Sequence, residues 1–319
     1  MKAVQILGPI SRPQIVLSKD LQIPKPDADQ VLVKVHAAGI TADEVTWTEL
    51  YKTKNRIPGH DVSGIIDTLG PLYAGPLRVG DEVFAMLKAD AADGCQAEYA
   101  LVSADEIAIK PPALSHSQAS ALPIPFLTAW QAIFEHAKLR QESKVLVTGA
   151  SGAVGLVIVQ IAARVLRCEV TALASAKNHA RLRELGCAAL LDYNTIGWEG
   201  TAKNFDAVFD TVGSETLRRV WKCVKSDGTI VTVADPPPLW ALGHAKPPEW
   251  EIHPNVKPIY FVVKANGKIL SNLHELMDGG AICPLPVRSF SSDEACLAWE
   301  YADKRGREGK AVIEFVRQS

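Results

Sequence analysis

The sequence predicts a mixed α/β protein that holds two architectures in one chain, a barrel-like unit of short β-segments and a doubly wound parallel-sheet unit. Three observations carry this expectation. Residues 1 to 115 read as short β-segments separated by turn signals. From "SKVLVTGA" onward, strands and helices alternate at roughly 25-residue spacing. A glycine-rich turn joins a β-branched run to an apolar helix in "VLVTGASGAVGLVIVQIAA", Val145 to Ala163. With 319 residues and 47% hydrophobic content, the chain is long enough to bury two cores.

In the first part the β-segments are "MKAVQIL", "QVLVKVHAAGI", "HDVSGIIDTLG", "GDEVFAML", "AEYALVS" and "EIAIKPP". The pattern changes near Ser115, where "SHSQASALPIPFLTAWQAIFEHA" places its apolar residues at helical spacing. Strands follow at "KVLVTG", "EVTALA", "AALLDY", "DAVFDTV", "GTIVTVA" and "IYFVV", with helices between them at "AVGLVIVQIAARVL", "AKNHARLRELG" and "SETLRRVWKCV". The run from 234 to 254, "ADPPPLWALGHAKPPEWEIHP", is too rich in proline for either element and reads as a loop. A helix around "GKILSNLHELMDGG", the segment "PLPVRSF", an amphipathic helix at "SDEACLAWEYADKRG" and a strand at "KAVIEF" complete the chain, the tail strands returning to the first part.

Composition excludes several classes. A formal charge of −2 offers no basic field for nucleic acid. No apolar run reaches membrane-spanning length, and the start "MKAVQILGPISRP" lacks the apolar stretch of a signal peptide, so the expected location is the cytoplasm. The six cysteines are spread without a C-x-x-C pair, which suggests neither a disulfide framework nor a structural zinc cluster. A hydrolase reading finds no G-x-S-x-G elbow.

A strand, a glycine-rich turn and an apolar helix in succession are the context in which a dinucleotide pyrophosphate meets a helix N-terminus. The backbone of Ala150, Ser151, Gly152, Ala153 and Val154 is the expected cradle, although the spacing is one residue off G-x-G-x-x-G, with Ala150 at the first glycine's place. An NAD site places an acid at the end of the second strand. Here the chain reads Leu173-Ala174-Ser175-Ala176-Lys177-Asn178. Ser175, Lys177 and Arg181 offer a hydrogen bond and positive charge to a 2′-phosphate, so the expected cofactor is NADPH (NADP+).

The segments "AAGITADE", "PGHDVSGII", "VGDEVFA", "AEYALV", "ALPIPFLTAWQAIF", "VLVTGASGAVG", "FDAVFDTVG" and "GKAVIEF" occur in an order and spacing that resembles the medium-chain dehydrogenases/reductases, specifically their zinc-independent quinone oxidoreductase-like branch. The resemblance covers nearly the whole chain. It implies a GroES-like β-barrel catalytic domain formed by residues 1–115 and 265–319, an inserted Rossmann domain at 116–264, and an active site in the cleft. Zinc-containing relatives place a cysteine after "AAGI" and a histidine in G-H-E. Here Thr41 stands at the cysteine's position, and His60 is followed by Asp61. A lone histidine does not make a catalytic zinc site, so no metal is expected and His60 reads as a structural hydrogen-bonding residue.

Without a Lewis acid, hydride acceptors that are already electrophilic are favoured, namely α,β-unsaturated carbonyls and quinones. The resemblance then implies site residues. Thr41, Asp43 and Glu44 lie in the loop of polar substrate contacts, with a solvated turn or cap as the alternative for the two acids. Tyr51 offers a phenolic donor beside Trp47, or the two form a core pair. Thr128 contacts the nicotinamide region or caps a helix start. Phe261 and Val262 lie on the strand that abuts the nicotinamide, Tyr193 matches the position beside the adenosine phosphate or is an ordinary strand-end tyrosine, and Val212 is a further cofactor-binding candidate. The expected partner is a small-molecule enone or quinone, with no nucleic acid and no membrane, and relatives of this kind are often homodimers. A carbonyl reductase, a specialised biosynthetic reductase or cyclase, and an NADPH-binding sensor protein are the alternative functions.

Overall fold

The short β-segments of the first part become strands of two sheets in a computed structural model that describes residues 1–48, 52, 55–243 and 247–316. Strands β1 (Ala3–Leu7) and β2 (Gln14–Ser18) form an antiparallel pair. They are followed by β3 (Val31–Gly39), β4 (Asp61–Leu69), β5 (Glu82–Met86), β6 (Tyr99–Val102) and β7 (Ile107–Ile109). Val31, Val33 and Val35 of β3 pack with Val62 and Ile66 of β4 and Val83 and Ala85 of β5. Their neighbours Leu32 and Phe84 are buried too, so both faces of these strands are covered.

The short helix α1 (His116–Ala119) begins with a capping box between Ser115 and Gln118. After it, α2 (Pro123–Trp130) leads into the second unit. There β8 (Lys144–Thr148), α3 (Ala153–Gln160), β9 (Glu169–Leu173), α4 (His179–Glu184), β10 (Ala189–Leu191), α5 (Trp198–Thr201), β11 (Phe205–Asp210), α6 (Ser214–Val220), β12 (Val224–Thr232) and β13 (Lys257–Tyr260) alternate. The six strands are all parallel, in the order β10-β9-β8-β11-β12-β13. Val145, Leu146 and Val147 of β8 are fully buried, as a strand covered on both faces requires. The expected strand "IYFVV" is shifted: pairing with β12 ends at Tyr260, so Phe261 and Val262 lie just beyond β13.

Helix α7 (Gly267–Asp278), β14 (Val287–Ser291), α8 (Ala295–Asp303) and β15 (Lys310–Glu314) complete the chain. β15 pairs antiparallel with β3 and parallel with β14, so the tail does return to the first sheet, whose order is β14-β15-β3-β4-β5-β7 with β6 on β3. Trp299 of α8 packs with Val4 and Ile40 and donates its indole N–H to Gln96 Oε1 at 2.9 Å.

The units divide differently from the expected boundaries at 115 and 265. The first comprises Met1–Leu127, Lys264–Asp278 and Pro284–Ser319; the second comprises Thr128–Val263 and Gly279–Cys283. The physical reason lies in polar anchors. His116 Nδ1 meets Ser63 Oγ at 2.8 Å, Ser117 Oγ donates to Glu314 Oε1 at 2.5 Å, and Ile124 N donates to Asp61 Oδ1 at 2.7 Å, which holds 116–127 on the first unit. Cys283 N donates to Gln160 Oε1 at 2.7 Å and ties its segment to the second. The proline-rich run holds two short 3-10 turns, Leu239–Leu242 and Pro248–Glu251, and Trp240 and Trp250 pack from it onto the core around Trp198 and Trp221.

Candidate functional site

In the second unit the chain runs outward from β8 to β10 and then starts again at β11 on the other side of β8, which leaves a crevice at the carboxyl ends of β8 and β11. The glycine-rich turn sits there. Gly149 has φ +59°, and a Cβ at this position would lie 2.3 Å from Thr211 Oγ1. A Cβ on Gly155 would lie 2.4 Å from the Gly149 carbonyl oxygen, so this glycine lets α3 start close against the turn. Gly152 is the helix N-cap and brings no side-chain hydrogen bond, so the first-turn N–H groups face an incoming anion without a competing cap. Ala150 is buried beneath the turn, Ser151, Ala153 and Val154 are half-buried, and Gly152 is exposed. A dinucleotide pyrophosphate fits this cradle.

Sequence reasoning missed the group that braces it. Asp210, fully buried at the end of β11, accepts hydrogen bonds from Thr148 Oγ1 at 2.6 Å and Thr232 Oγ1 at 2.8 Å, and from the backbone N–H of Val212 and Gly213 at 3.3 and 3.0 Å. One carboxylate thus joins β8, β11 and β12 at their carboxyl ends. The motif "FDTVG" contains the signal, an acid before a glycine turn, but its threonine partners lie 62 and 22 residues away.

At the end of β9 the chain forms the Ser175–Asn178 turn, which carries no acid. Ser175 Oγ accepts from Asn178 Nδ2 at 2.9 Å, which leaves its own O–H to donate elsewhere. Lys177 and Arg181 are exposed. Tyr193 and Val212, 54% and 48% exposed, are apolar surfaces at the ends of β10 and β11. Val262 is also exposed, and the Phe261 ring lies 4.1 Å from that of His136. Thr128 lies well inside α2 and is buried, so the helix-start cap considered for it is ruled out.

In the first unit Thr41 precedes a 3-10 turn, Ala42–Thr46, without a side-chain bond to it. Asp43 is exposed on this turn, and its carbonyl accepts from Thr46 Oγ1 at 2.7 Å. Glu44 departs from its expected place beside substrate. It is fully buried, and its Oε1 accepts from Gly59 N at 2.6 Å and lies 3.1 Å from His60 Nδ1. A carboxylate so engaged is a structural anchor for the Gly59-His60 segment. Burial alone would lower the His60 pKa, but the Glu44 carboxylate outweighs it and holds the imidazole above its ordinary value. Trp47 packs on the His60 ring at 5.5 Å; Tyr51, its expected aromatic neighbour, lies outside the described residues.

A doubly wound sheet with a glycine-rich turn at its switch point, together with a GroES-like unit built from both ends of the chain, defines a two-domain nucleotide-dependent oxidoreductase. Residues 27–112 match the alcohol dehydrogenase GroES-like domain, and residues 185–313 match the zinc-binding dehydrogenase family. The chain is 30% identical to a 2-methylene-furan-3-one reductase of Solanum lycopersicum over 94% of its own length and 75% of that protein. It is 27% identical to an NADPH-dependent alkenal/one oxidoreductase, chloroplastic, of Arabidopsis thaliana over 93% and 75%. The quinone oxidoreductase structure from Coxiella burnetii superposes with a TM-score of 0.85 at 27% identity, covering 99% of each chain. The chain belongs to the medium-chain dehydrogenase/reductase superfamily, in its zinc-independent quinone oxidoreductase-like branch.

The donor set does not fit the zinc that one family description implies. Thr41 supplies no thiolate, and Asp61 pairs with Lys310 Nζ while accepting from Ile124 N; Glu44 Oε1 lies against His60 Nδ1, and although Glu44 Oε2 and His60 Nε2 are buried without a partner, no third ligand stands with them among the described residues. Cys95 is buried, donates to the Asp61 carbonyl at 3.3 Å, and burial pushes its thiol well above the usual range. Among the described residues no three His, Cys, Asp or Glu side chains gather as a metal site, and no helix is long and apolar enough to cross a membrane.

Proposed function

We propose that this protein is an NADPH-dependent, zinc-independent reductase whose substrate is a small α,β-unsaturated carbonyl compound or a quinone, and that it works in the cytoplasm. The observation that carries the reaction class is the mutual engagement of Glu44 with His60 and of Asp61 with Lys310. With Thr41 supplying no thiolate, the described residues gather no three metal-ligating side chains, and acceptors that delocalise the developing charge need no Lewis acid.

A bound nicotinamide supplies the hydride. The chain's own residues do the rest. The Gly149–Gly155 turn and the first turn of α3 bind the pyrophosphate; Ser175, Lys177 and Arg181 receive the 2′-phosphate; Tyr193 covers the adenosine; Val212, at the end of β11, lines the crevice; Thr128, Phe261 and Val262 border the nicotinamide. Thr41 and Asp43 remain the polar candidates for orienting the substrate oxygen. The similarity to an NADPH-dependent alkenal/one oxidoreductase and to a quinone oxidoreductase supports the reading.

The test is loss of reduced-nicotinamide absorbance with 9,10-phenanthrenequinone and with a simple enone. Oxidation of NADPH by either supports the reading. Nucleotide binding without turnover across a broad panel points instead to a binding protein, equal efficiency with NADH removes the 2′-phosphate assignment, and about one zinc per chain overturns the metal-free chemistry.

A further inference from the structure

The turn that follows β9 lacks a cap of its own. Ser175 stands at its N-cap position, yet makes no side-chain bond to the turn's backbone, because its hydroxyl oxygen accepts from the Asn178 side chain. The ladder between β9 and β10 extends one step past the strands, Ala174 N donating to Leu191 O at 3.0 Å, and then stops. The next donor is Ala176 N. It is met by a carboxylate from the neighbouring strand end: Asp192 Oδ2 accepts from it at 3.3 Å. The other oxygen of Asp192, Oδ1, accepts from the backbone N–H and the side-chain Nδ2 of Asn194, both at 2.9 Å, and Thr195 N donates to the Asp192 carbonyl at 3.0 Å. These bonds fold the 192–195 turn that carries Tyr193. A single side chain therefore holds two loops, one bearing Ser175 and Lys177, the other bearing Tyr193.

We propose that Asp192 is the positioning residue of the adenosine end of the nucleotide site: its carboxylate pins the Ser175–Asn178 turn to the 192–195 turn, so that Ser175, Lys177 and Tyr193 are presented together to the ribose and its 2′-substituent. The assignment rests on the NADPH reading for the identity of that substituent. Its carboxylate oxygens are engaged by protein N–H donors, and these donors, the Asn194 amide foremost, hold the carboxyl below its ordinary range. The group acts as a fastener between loops, in contrast to the acid of an NAD site, which ends the second strand and accepts the ribose 2′-OH directly.

The experiment compares wild type, Asp192→Ala and Asp192→Asn by calorimetric titration with 2′,5′-ADP and 5′-AMP, and by amide exchange of residues 174–179 without nucleotide. Asp192→Ala should weaken 2′,5′-ADP about tenfold, the scale of one lost charge-assisted hydrogen bond, and speed exchange at Ala176. Asp192→Asn keeps one acceptor oxygen, which can serve Ala176 N while its NH2 turns to the solvent-exposed Asn194 side, and should recover part of both losses. Exchange at 174–179 unchanged in Asp192→Ala, or Asp192→Asn as impaired as Asp192→Ala, overturns the proposal. So does weakening of 5′-AMP more than of 2′,5′-ADP, which would make Asp192 a direct acceptor for the 2′-OH. Equal wild-type affinity for the two nucleotides sinks the NADPH reading by itself, and the exchange result then still decides for or against the fastener.

Discussion

Lys310 and Asp61 lie 249 residues apart and form the buried ion pair between β15 and β4, with side chains only 6% and 1% exposed. Replacing Lys310 by Met keeps a flexible chain of similar length in the same space, so the change removes charge and leaves packing largely intact. It strands the Asp61 carboxylate in the core with one remaining hydrogen bond, from Ile124 N. Breaking a buried pair from one side costs about 3–5 kcal/mol. The double variant Asp61→Asn/Lys310→Met removes the buried charge and retains an acceptor for Ile124 N, so it should recover at least about 2 kcal/mol of that loss. Urea unfolding of the three proteins, read from the transition of the unit that contains Trp299, measures both quantities. The stranded carboxyl has a folded pKa raised by burial, so its protonated form is the one the fold favours. The deficit of Lys310→Met should accordingly be smaller near about pH 5 than near about pH 8. A cost for Lys310→Met below about 1 kcal/mol, the level of an exposed pair, would refute the reasoning, because it would mean that Asp61 is hydrated in the fold.

Other perturbations follow from the same geometry. His60 has a folded pKa raised by Glu44, so the stability this pair contributes is fully present below the unfolded imidazole pKa and is lost as pH rises through the folded one. NMR titration should find His60 protonating above its ordinary value and Glu44→Gln moving it down; an unshifted imidazole in wild type would contradict the pairing. His116, pushed down to about 4 chiefly by burial, has the opposite sign: stability should fall as pH drops from the unfolded histidine pKa toward about 4, and a His116→Gln variant should lose that part of the acid sensitivity. Gly155→Ala places a methyl group 2.4 Å from the Gly149 oxygen, so the turn must move; the KM for the nucleotide should rise about tenfold or more for a stability cost of about 1–3 kcal/mol in thermal unfolding. Asp210→Asn turns one acceptor edge into a donor facing a hydroxyl or an N–H, which should cost about 1–3 kcal/mol and weaken nucleotide binding measured by fluorescence; unchanged binding would remove Asp210 from the support of the crevice.

Much of the fold was legible because its signals are local. The β8–turn–α3 unit shows in residues 144–160 as a β-branched run, glycines where backbone must approach backbone, and an apolar helical stripe. The absence of an acid at the end of β9 was equally plain, as was the return of "KAVIEF" to the first sheet. The boundary at 115 was not. Residues 116–127 look like the start of the helical half, yet they are held on the first unit by Ser63, Asp61 and Glu314, partners that no window around residue 120 contains.

The site divides in the same way. Residue type and order alone pointed to a dinucleotide turn and placed a serine and cations, with no acid, after β9, and the family resemblance set Thr41 where zinc-containing relatives carry a cysteine. Only the tertiary structure decided the roles of the acids. Glu44 is drawn inward to Gly59 and His60, Asp61 to Lys310, Asp210 to two threonines on neighbouring strands, and Asp192 to the amide of a turn sixteen residues earlier. A carboxylate looks the same in sequence whether it faces substrate or a buried N–H. Which of these it meets depends on strand order and register, and those are set by the burial of whole sheets, beyond the reach of the residues beside it.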